Sequence, residues 1–166
     1  MTASDTTRVP NAPVVGSGAA TGSVHRLDAS DCLFCKIVAG HIPSTIIDED
    51  DLTIAFMDIA PATRGHALVV PKRHADGLLD IDATDLAACA AAGQRVARRV
   101  VANLGADGVN LLNSCGAPAW QTVLHFHLHV IPRYADDPAR DSMRLPWTPR
   151  PGDMSDIAAA AAELTA

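Results

Sequence analysis

Aromatic residues are scarce in this chain of 166: they make up 4% of it, as three Phe, two Trp and one Tyr. A core must therefore come from Ala, Val, Leu and Ile, within a hydrophobic share of 48% that suits an ordinary globular protein. Long apolar runs are also missing, and none reaches the ~18 residues that span a bilayer, so no membrane partner is expected. Basic residues are outnumbered, 13 Lys and Arg against 19 Asp and Glu, for a formal net charge of −6. General affinity for a nucleic acid polymer, which draws on clustered Lys and Arg, is thereby disfavoured. A small phosphorylated ligand needs only a local site and stays compatible. Cysteines are too few for a disulfide framework: Cys32 and Cys35 form a Cys-x-x-Cys pair, and Cys89 and Cys115 stand alone. Reduced thiols are expected. The first 31 residues hold no charged segment followed by an apolar one, so a cytoplasmic location is the expectation.

The length suits one domain with a real core. Residues 1–30 are rich in Thr, Ser, Ala, Gly and Pro and read as an N-terminal arm. The body, residues 31–135, should open with a short helix, Cys32 to Ala39, capped by Ser30 or Asp31 and stopped by Gly40. Thr45 to Asp48 and Leu52 to Asp58 read as strands around a solvated acidic turn, Glu49-Asp50-Asp51; His66 to Val70 is a third strand, ended by Pro71. The long helix is the clearest element. Asp82, Thr84 and Asp85 favour its start, Leu86, Cys89, Ala90, Val96, Val100, Val101 and Leu104 recur near helical spacing, and Gly105 ends it. Val109 to Asn113 and Thr122 to Ile131 are further strands, and a C-terminal extension, residues 136–166, carries a terminal helix, Met154 to Leu164, with Asp153 or Ser155 as its cap. The pattern predicts an α+β fold: an antiparallel sheet of about five strands with one long helix and short flanking helices.

One run carries the chemistry. His125-Phe126-His127-Leu128-His129 sets three imidazoles at strict two-residue spacing, so on a strand they share one face while Phe126, Leu128 and Val130 share the other. Such a row can ligate a metal or perform covalent and acid–base chemistry, and spacing alone does not choose between them. Cys32-x-x-Cys35 is equally open between a metal half-site, a redox pair and chance.

The run through Ile131 resembles the His-φ-His-φ-His-φ-φ signature of the histidine triad (HIT) nucleotide-binding family, in which φ is apolar, and all seven positions match. The resemblance extends through Cys32-Leu33-Phe34-Cys35-Lys36-Ile37, Ala55-Phe56-Met57-Asp58-Ile59, Gly65-His66-Ala67-Leu68-Val69-Val70-Pro71-Lys72-Arg73-His74 and Gln121-Thr122-Val123, and it is nearer the bacterial Hint-like branch than the galactose-1-phosphate uridylyltransferases. It implies a nucleotide hydrolase or transferase acting at the α-phosphorus of nucleoside phosphoramidates, phosphate esters or dinucleoside polyphosphates. His127 would be the nucleophile, forming a nucleotidyl-histidine intermediate that water resolves to a nucleoside monophosphate, and His129 would contact phosphate or assist proton transfer. Asp58 would take the ribose hydroxyls, and Phe34, Ile37, Phe56 and Ile59 would wall the pocket of a purine base, adenine or guanine. Asn113, Gln121 and Thr122 would bind phosphate or the bridging atom.

The resemblance also implies a structural Zn²⁺ held by Cys32, Cys35, His74 and His125, and a homodimer formed through the long helix and an edge strand. His41 and His66 receive no role beyond exposed or core positions. The chain departs from the family at Trp120, where members commonly carry Gly before the Gln, and the loop Ser114 to Pro118 reads one residue longer. Trp120 and the long N-terminal arm motivate an alternative: a nucleotide-binding, zinc-stabilised interaction protein with little turnover.

Overall fold

A computed structural model describes residues 31–144 and 150–165. The predicted arm, including the cap candidate Ser30, lies outside the described residues. In chain order the elements are α1 (Leu33–Val38), β1 (Ile46–Glu49), β2 (Thr53–Met57), β3 (Ala67–Pro71), α2 (Ala83–Leu104), β4 (Gly108–Leu112), β5 (Leu128–Arg133) and α3 (Met154–Leu164). The five strands form one antiparallel sheet in the order β1-β2-β3-β5-β4. The fold is thus the α+β arrangement predicted, and among the described residues no helix is long and apolar enough to cross a membrane.

Side-chain alternation divides the core between the two faces of the sheet. On one, Ala55, Ala67, Val69, Phe126 and Val130 meet Cys89, Ala92, Val96 and Val100 of α2. On the other, Ile54, Phe56, Leu68 and Val70 meet Cys32, Phe34 and Ile37 from α1 and its start. Small residues line the strand-facing side of α2, with Ala92 and Gly93 buried, and a Cβ on Gly93 would meet the Leu111 side chain in ordinary van der Waals contact at 3.5 Å. The shortage of aromatics is met by placement, since all three Phe are buried. Phe126 is fully enclosed between helix and sheet, and truncating it to Ala is expected to cost about 3–5 kcal/mol.

Helix α2 begins where Asp82 accepts the Thr84 N–H at 2.8 Å, and it ends at Gly105, whose φ of +64° suits a residue without Cβ. Two residues read as part of its apolar stripe, Ala90 and Val101, lie on its exposed side, because the contact is made along the Asp85, Cys89, Ala92, Val96, Val100 line. Helix α1 starts at Cys32 with no side-chain cap, so the expected cap at Asp31 is not formed. The acidic turn is not merely solvated: Asp50 accepts the N–H groups of Leu52 and Thr53 and receives Arg95 from α2 at 2.6 Å. Burial pushes its carboxyl up, but these hydrogen bonds outweigh that and hold it at about 2.

The largest displacement concerns the histidine strand, which begins at Leu128 instead of Thr122. Pro71 closes β3 and offers no N–H to extend its ladder, so β3 and β5 pair only from Ala67↔Val130 to Val69↔Leu128. Upstream, single bonds replace the ladder: Phe126 N–H to Ala75 O at 2.7 Å, and the Asn113 side-chain amide to His127 O at 2.9 Å. The alternation nevertheless persists, with Phe126 toward α2 and the three histidines toward α1. Past β5, Asp141 is buried and accepts from Arg133 at 2.7 Å and from the N–H groups of Tyr134 and Met143, tying the chain back to the sheet. Helix α3 is capped by Asp153 and buries none of its side chains.

Candidate active site and metal centre

Two clusters of imidazoles flank Phe34, whose ring stands edge-on to His125 at 5.8 Å and to His127 at 5.3 Å between centroids. The first cluster joins Cys32 and Cys35 of the α1 turn, His74 after β3, and His125. Their four ligand atoms all lie within 4.8 Å of one another. The hydrogen bonds around them assign the lone pairs. His125 Nε2 faces Pro71 O at 2.9 Å, an oxygen that only accepts, and His74 Nε2 faces the Asp76 carboxylate at 3.0 Å. Both rings therefore carry their proton on Nε2, and two bare Nδ1 lone pairs meet at 3.3 Å. A cation between them removes that repulsion.

The separations are consistent with a tetrahedral ion such as zinc. Tetrahedral Zn²⁺ with sulfur at about 2.3 Å and nitrogen at about 2.0–2.1 Å separates N from N by about 3.3 Å and S from N by about 3.6 Å. Here N–N is 3.3 Å, and the S–N distances are 3.4 Å (Cys32 to His125), 3.3 Å (Cys35 to His74) and 3.6 Å (Cys35 to His125). Asp76 and Pro71 O fix the outer ring nitrogens, as second partners of metal-bound histidines do. Without a cation, burial and then Cys32 push the Cys35 thiol up to about 11, and burial pushes His125 down to about 4.

The second cluster lines a cavity of about 340 Å³ on the α1 face of the sheet. Phe34, Ile37, Phe56 and Ile59 contribute apolar wall, Asp58 and Thr122 polar edge, and His127 and His129 the floor. His127 Nδ1 donates to the His125 carbonyl at 2.7 Å, and its Nε2 has no hydrogen-bond partner among the described residues. His129 is set by a residue to which the sequence reading gave no role. The Ala62 N–H donates to His66 Nδ1 at 3.1 Å, so His66 carries its proton on Nε2 and donates it to His129 Nδ1 at 3.0 Å. That leaves His129 with an N–H at Nε2. Burial lowers His66, His127 and His129, the last to about 4 with help from neighbouring His127 and His66, so all three are neutral at pH 7. Asp58 stands 3.6 Å from His66, and its other oxygen accepts the Ala60 N–H at 2.8 Å.

Eight of the expected nucleotide-site residues thus share one cavity; Asn113 and Gln121 do not line it. Asn113 holds the His127 carbonyl, and Gln121 accepts the Gly116 N–H and donates to Asp76 O and Val123 O. Both amides brace main chain around the triad. Ile59 is fully exposed and forms a rim. Trp120 is 63% exposed, outside the cavity lining, and is the sole non-glycine with positive φ (+68°) among the described residues. Leu33, Ile42, Pro43, Ser44, Met57, Leu68 and Val123 also line the cavity and were not anticipated. His66 could have been found once β3 was paired with β5: Leu68 sits opposite His129, which puts His66 one pleat step away on the same face.

Known proteins resemble this chain in sequence and fold. The HIT domain family model matches residues 39–136. An uncharacterized HIT-like protein of Mycobacterium tuberculosis is 48% identical over 101 residues, 61% of this chain and 70% of that protein. An adenylylsulfatase of Arabidopsis thaliana is 36% identical over 108 residues, 65% of this chain and 55% of that protein. Among solved structures, SMU.412c from Streptococcus mutans superposes with a TM-score of 0.76 at 35% identity, covering 92% of this chain and 98% of its own. A Zn-bound histidine triad family protein from Mycobacterium smegmatis does so with a TM-score of 0.65 at 40% identity, covering 83% and 98%.

Proposed function

The chain belongs to the HIT family, and from that premise we propose that it is a nucleotide hydrolase or transferase acting at the α-phosphorus of nucleoside phosphoramidates, phosphate esters or dinucleoside polyphosphates. One observation carries the reading: His127 is held with its proton on Nδ1 and its Nε2 lone pair free beside an apolar cavity that ends in a carboxylate. A neutral imidazole needs no strong base to attack, and covalent catalysis divides the displacement into two easier steps.

In the first step His127 Nε2 bonds to phosphorus while the bond from phosphorus to the leaving group breaks. The leaving atom needs a proton or hydrogen bond, and the Nε2–H of His129 is the donor offered, aligned through His66. Water then cleaves the N–P bond, releases the nucleoside monophosphate and restores His127. Asp58 would accept the ribose hydroxyls, Phe34, Ile37 and Phe56 would hold a purine, and Thr122, in the cavity lining, would meet phosphate. Cys32, Cys35, His74 and His125 would hold a structural Zn²⁺, supported by separations that fit such an ion and by the Zn-bound M. smegmatis relative. Bound there, the ion supplies a closed four-coordinate cross-link between α1, the turn after β3 and the histidine run. A homodimer through α2 and β4 is supported by edge position and by exposed Val101 and Leu111.

The test is incubation with an AMP phosphoramidate and with a diadenosine polyphosphate, with AMP release as readout. The wild-type chain is expected to release AMP and His127→Ala to release none while still binding AMP. Equal rates in the two proteins would falsify the assignment. The commitment of the Gln121 amide to main chain favours the second reading, a nucleotide-binding, zinc-stabilised interaction protein. Its expected outcome is tight AMP binding with no release of AMP from any of these substrates.

A further inference from the structure

The nucleotide cavity and the thiol pair share one short piece of chain. Helix α1 has six residues and no side-chain cap, too little to hold itself in water. Its docking rests on the burial of Phe34 and Ile37 and on the two cysteines that bracket its first turn. The same turn supplies Leu33, Phe34 and Ile37 to the cavity wall. A second link runs through His125, which turns its Nδ1 to the thiols while its carbonyl holds the Nδ1–H of His127 at 2.7 Å. A third is Gln121, donating to the carbonyl of Asp76, whose carboxylate braces His74. Base wall, nucleophile orientation and the loop leading into the histidine run therefore all hang from the Cys32, Cys35, His74, His125 cluster.

We propose that Cys32 and Cys35 form an oxidant-sensitive latch on nucleotide binding, an inference that rests on the zinc reading above. The oxidant is a peroxide. The Cys35 thiolate, on the partly exposed residue of the pair, attacks the O–O bond, becomes a sulfenic acid and expels hydroxide; the buried Cys32 thiolate then attacks that sulfur and expels a second hydroxide. Two thiolates and one hydrogen peroxide give one disulfide and two hydroxides, so two electrons pass from sulfur to oxygen. One-turn spacing places the two residues within disulfide reach. A neutral disulfide no longer holds Zn²⁺, so the ion leaves, His74 and His125 lose their common partner and α1 loses its anchor.

The experiment uses full-length protein carrying Cys89→Ala and Cys115→Ser, which removes the other two thiols, loaded with Zn²⁺ alone. Peroxide is titrated in while free zinc is read with a chromogenic chelator, the disulfide by mass spectrometry and AMP affinity by calorimetry. Release of one Zn²⁺ per chain, one Cys32–Cys35 disulfide and at least about a tenfold loss of AMP affinity are expected, as for a pocket left competent in about a tenth of the molecules. Thiol reductant plus Zn²⁺ should restore binding. Zinc release with unchanged AMP affinity overturns the latch and leaves the zinc reading standing. Zinc retained through peroxide treatment overturns it as well, and failure of the reduced protein to bind stoichiometric Zn²⁺ removes both. Chelation under reducing conditions separates loss of metal from oxidation as such: it should reproduce the affinity loss with no disulfide formed.

Discussion

The two histidine clusters are built from the same residue type at similar burial, yet they do opposite things with their lone pairs. Around Cys32, Cys35, His74 and His125 the outer nitrogens are spent on Pro71 O and Asp76, so the inner atoms converge on one point. Asp58, His66 and His129 also bring three potential ligands within 4.8 Å, but His66 spends both nitrogens, one on the Ala62 N–H and one on His129. There the hydrogen bonds run head to tail and deliver a single N–H to the cavity. A cluster becomes a metal centre or a proton-donating chain according to which nitrogens the main chain has already taken. His125 and His127 stand two residues apart on opposite sides of that divide, joined by one hydrogen bond.

The comparison breaks most sharply through exchange of loss. His127→Ala should lower AMP release by about 10⁴-fold or more, as removal of a nucleophile does, with little change in melting temperature. Cys32→Ala should do the reverse to the molecule's balance: about 3 kcal/mol or more of stability lost, on the order of 10 °C in Tm, because a ligand of the cross-link is gone. Calorimetric melts and AMP-release rates on both variants check the pair. If the Cys32 variant melts like wild type, the metal cluster is not structural.

A smaller effect sharpens the second cluster. His66→Phe keeps a buried ring and removes the bond to His129, so His129 is free to take either tautomer. The rate should fall about 10–100-fold, the range seen when a residue orienting a functional histidine is lost. AMP affinity should change little. A purely structural role for His66 would lower AMP affinity and stability in step with the rate, and the split between the two is the readout.

How much of this was legible in the sequence follows from where the information sits. Period-2 alternation and the caps Asp82, Gly105 and Asp153 are local, so every α-helix and β-strand was placed within one or two residues except the histidine strand, while the 3-10 turn Ala117–Ala119 fell in what was read as loop. That strand failed because its end is set elsewhere: Pro71, 57 positions before Leu128, refuses the ladder bond. The four candidate metal ligands and the expected pocket walls came from motif resemblance, and the folded chain brings them together. His66 escaped because its role exists only through a partner 63 residues away, on a strand whose register no local pattern reveals; Asp76, two residues from His74, escaped because a lone loop carboxylate does not signal which ring it faces. Asn113 and Gln121 came from the resemblance as phosphate ligands; where a flexible amide finds main-chain partners is a property of the packed loop. Ala90 and Val101 show the same limit on α2, where small apolar residues fit either side of the helix.

The smallest expected effect concerns pH, and it tests whether the proposed catalytic cluster is neutral by construction. Burial lowers His66, His127 and His129 below the ordinary histidine value, His129 to about 4. Each ring then binds a proton more readily in the unfolded chain than in the folded one, so stability rises with pH between about 4 and 6.5 and is lost as pH falls through that window. The rate follows the same groups: AMP release from a phosphoramidate should stay flat through pH 6.5, with its acid limb below that value. His66→Phe removes one partner whose presence lowers His129, so the limb should move toward higher pH by a fraction of a unit. A wild-type limb centred at 6.5 or above would mean that the rings titrate like exposed histidines, and the contrast between a lone-pair centre and a neutral proton-donating chain would dissolve.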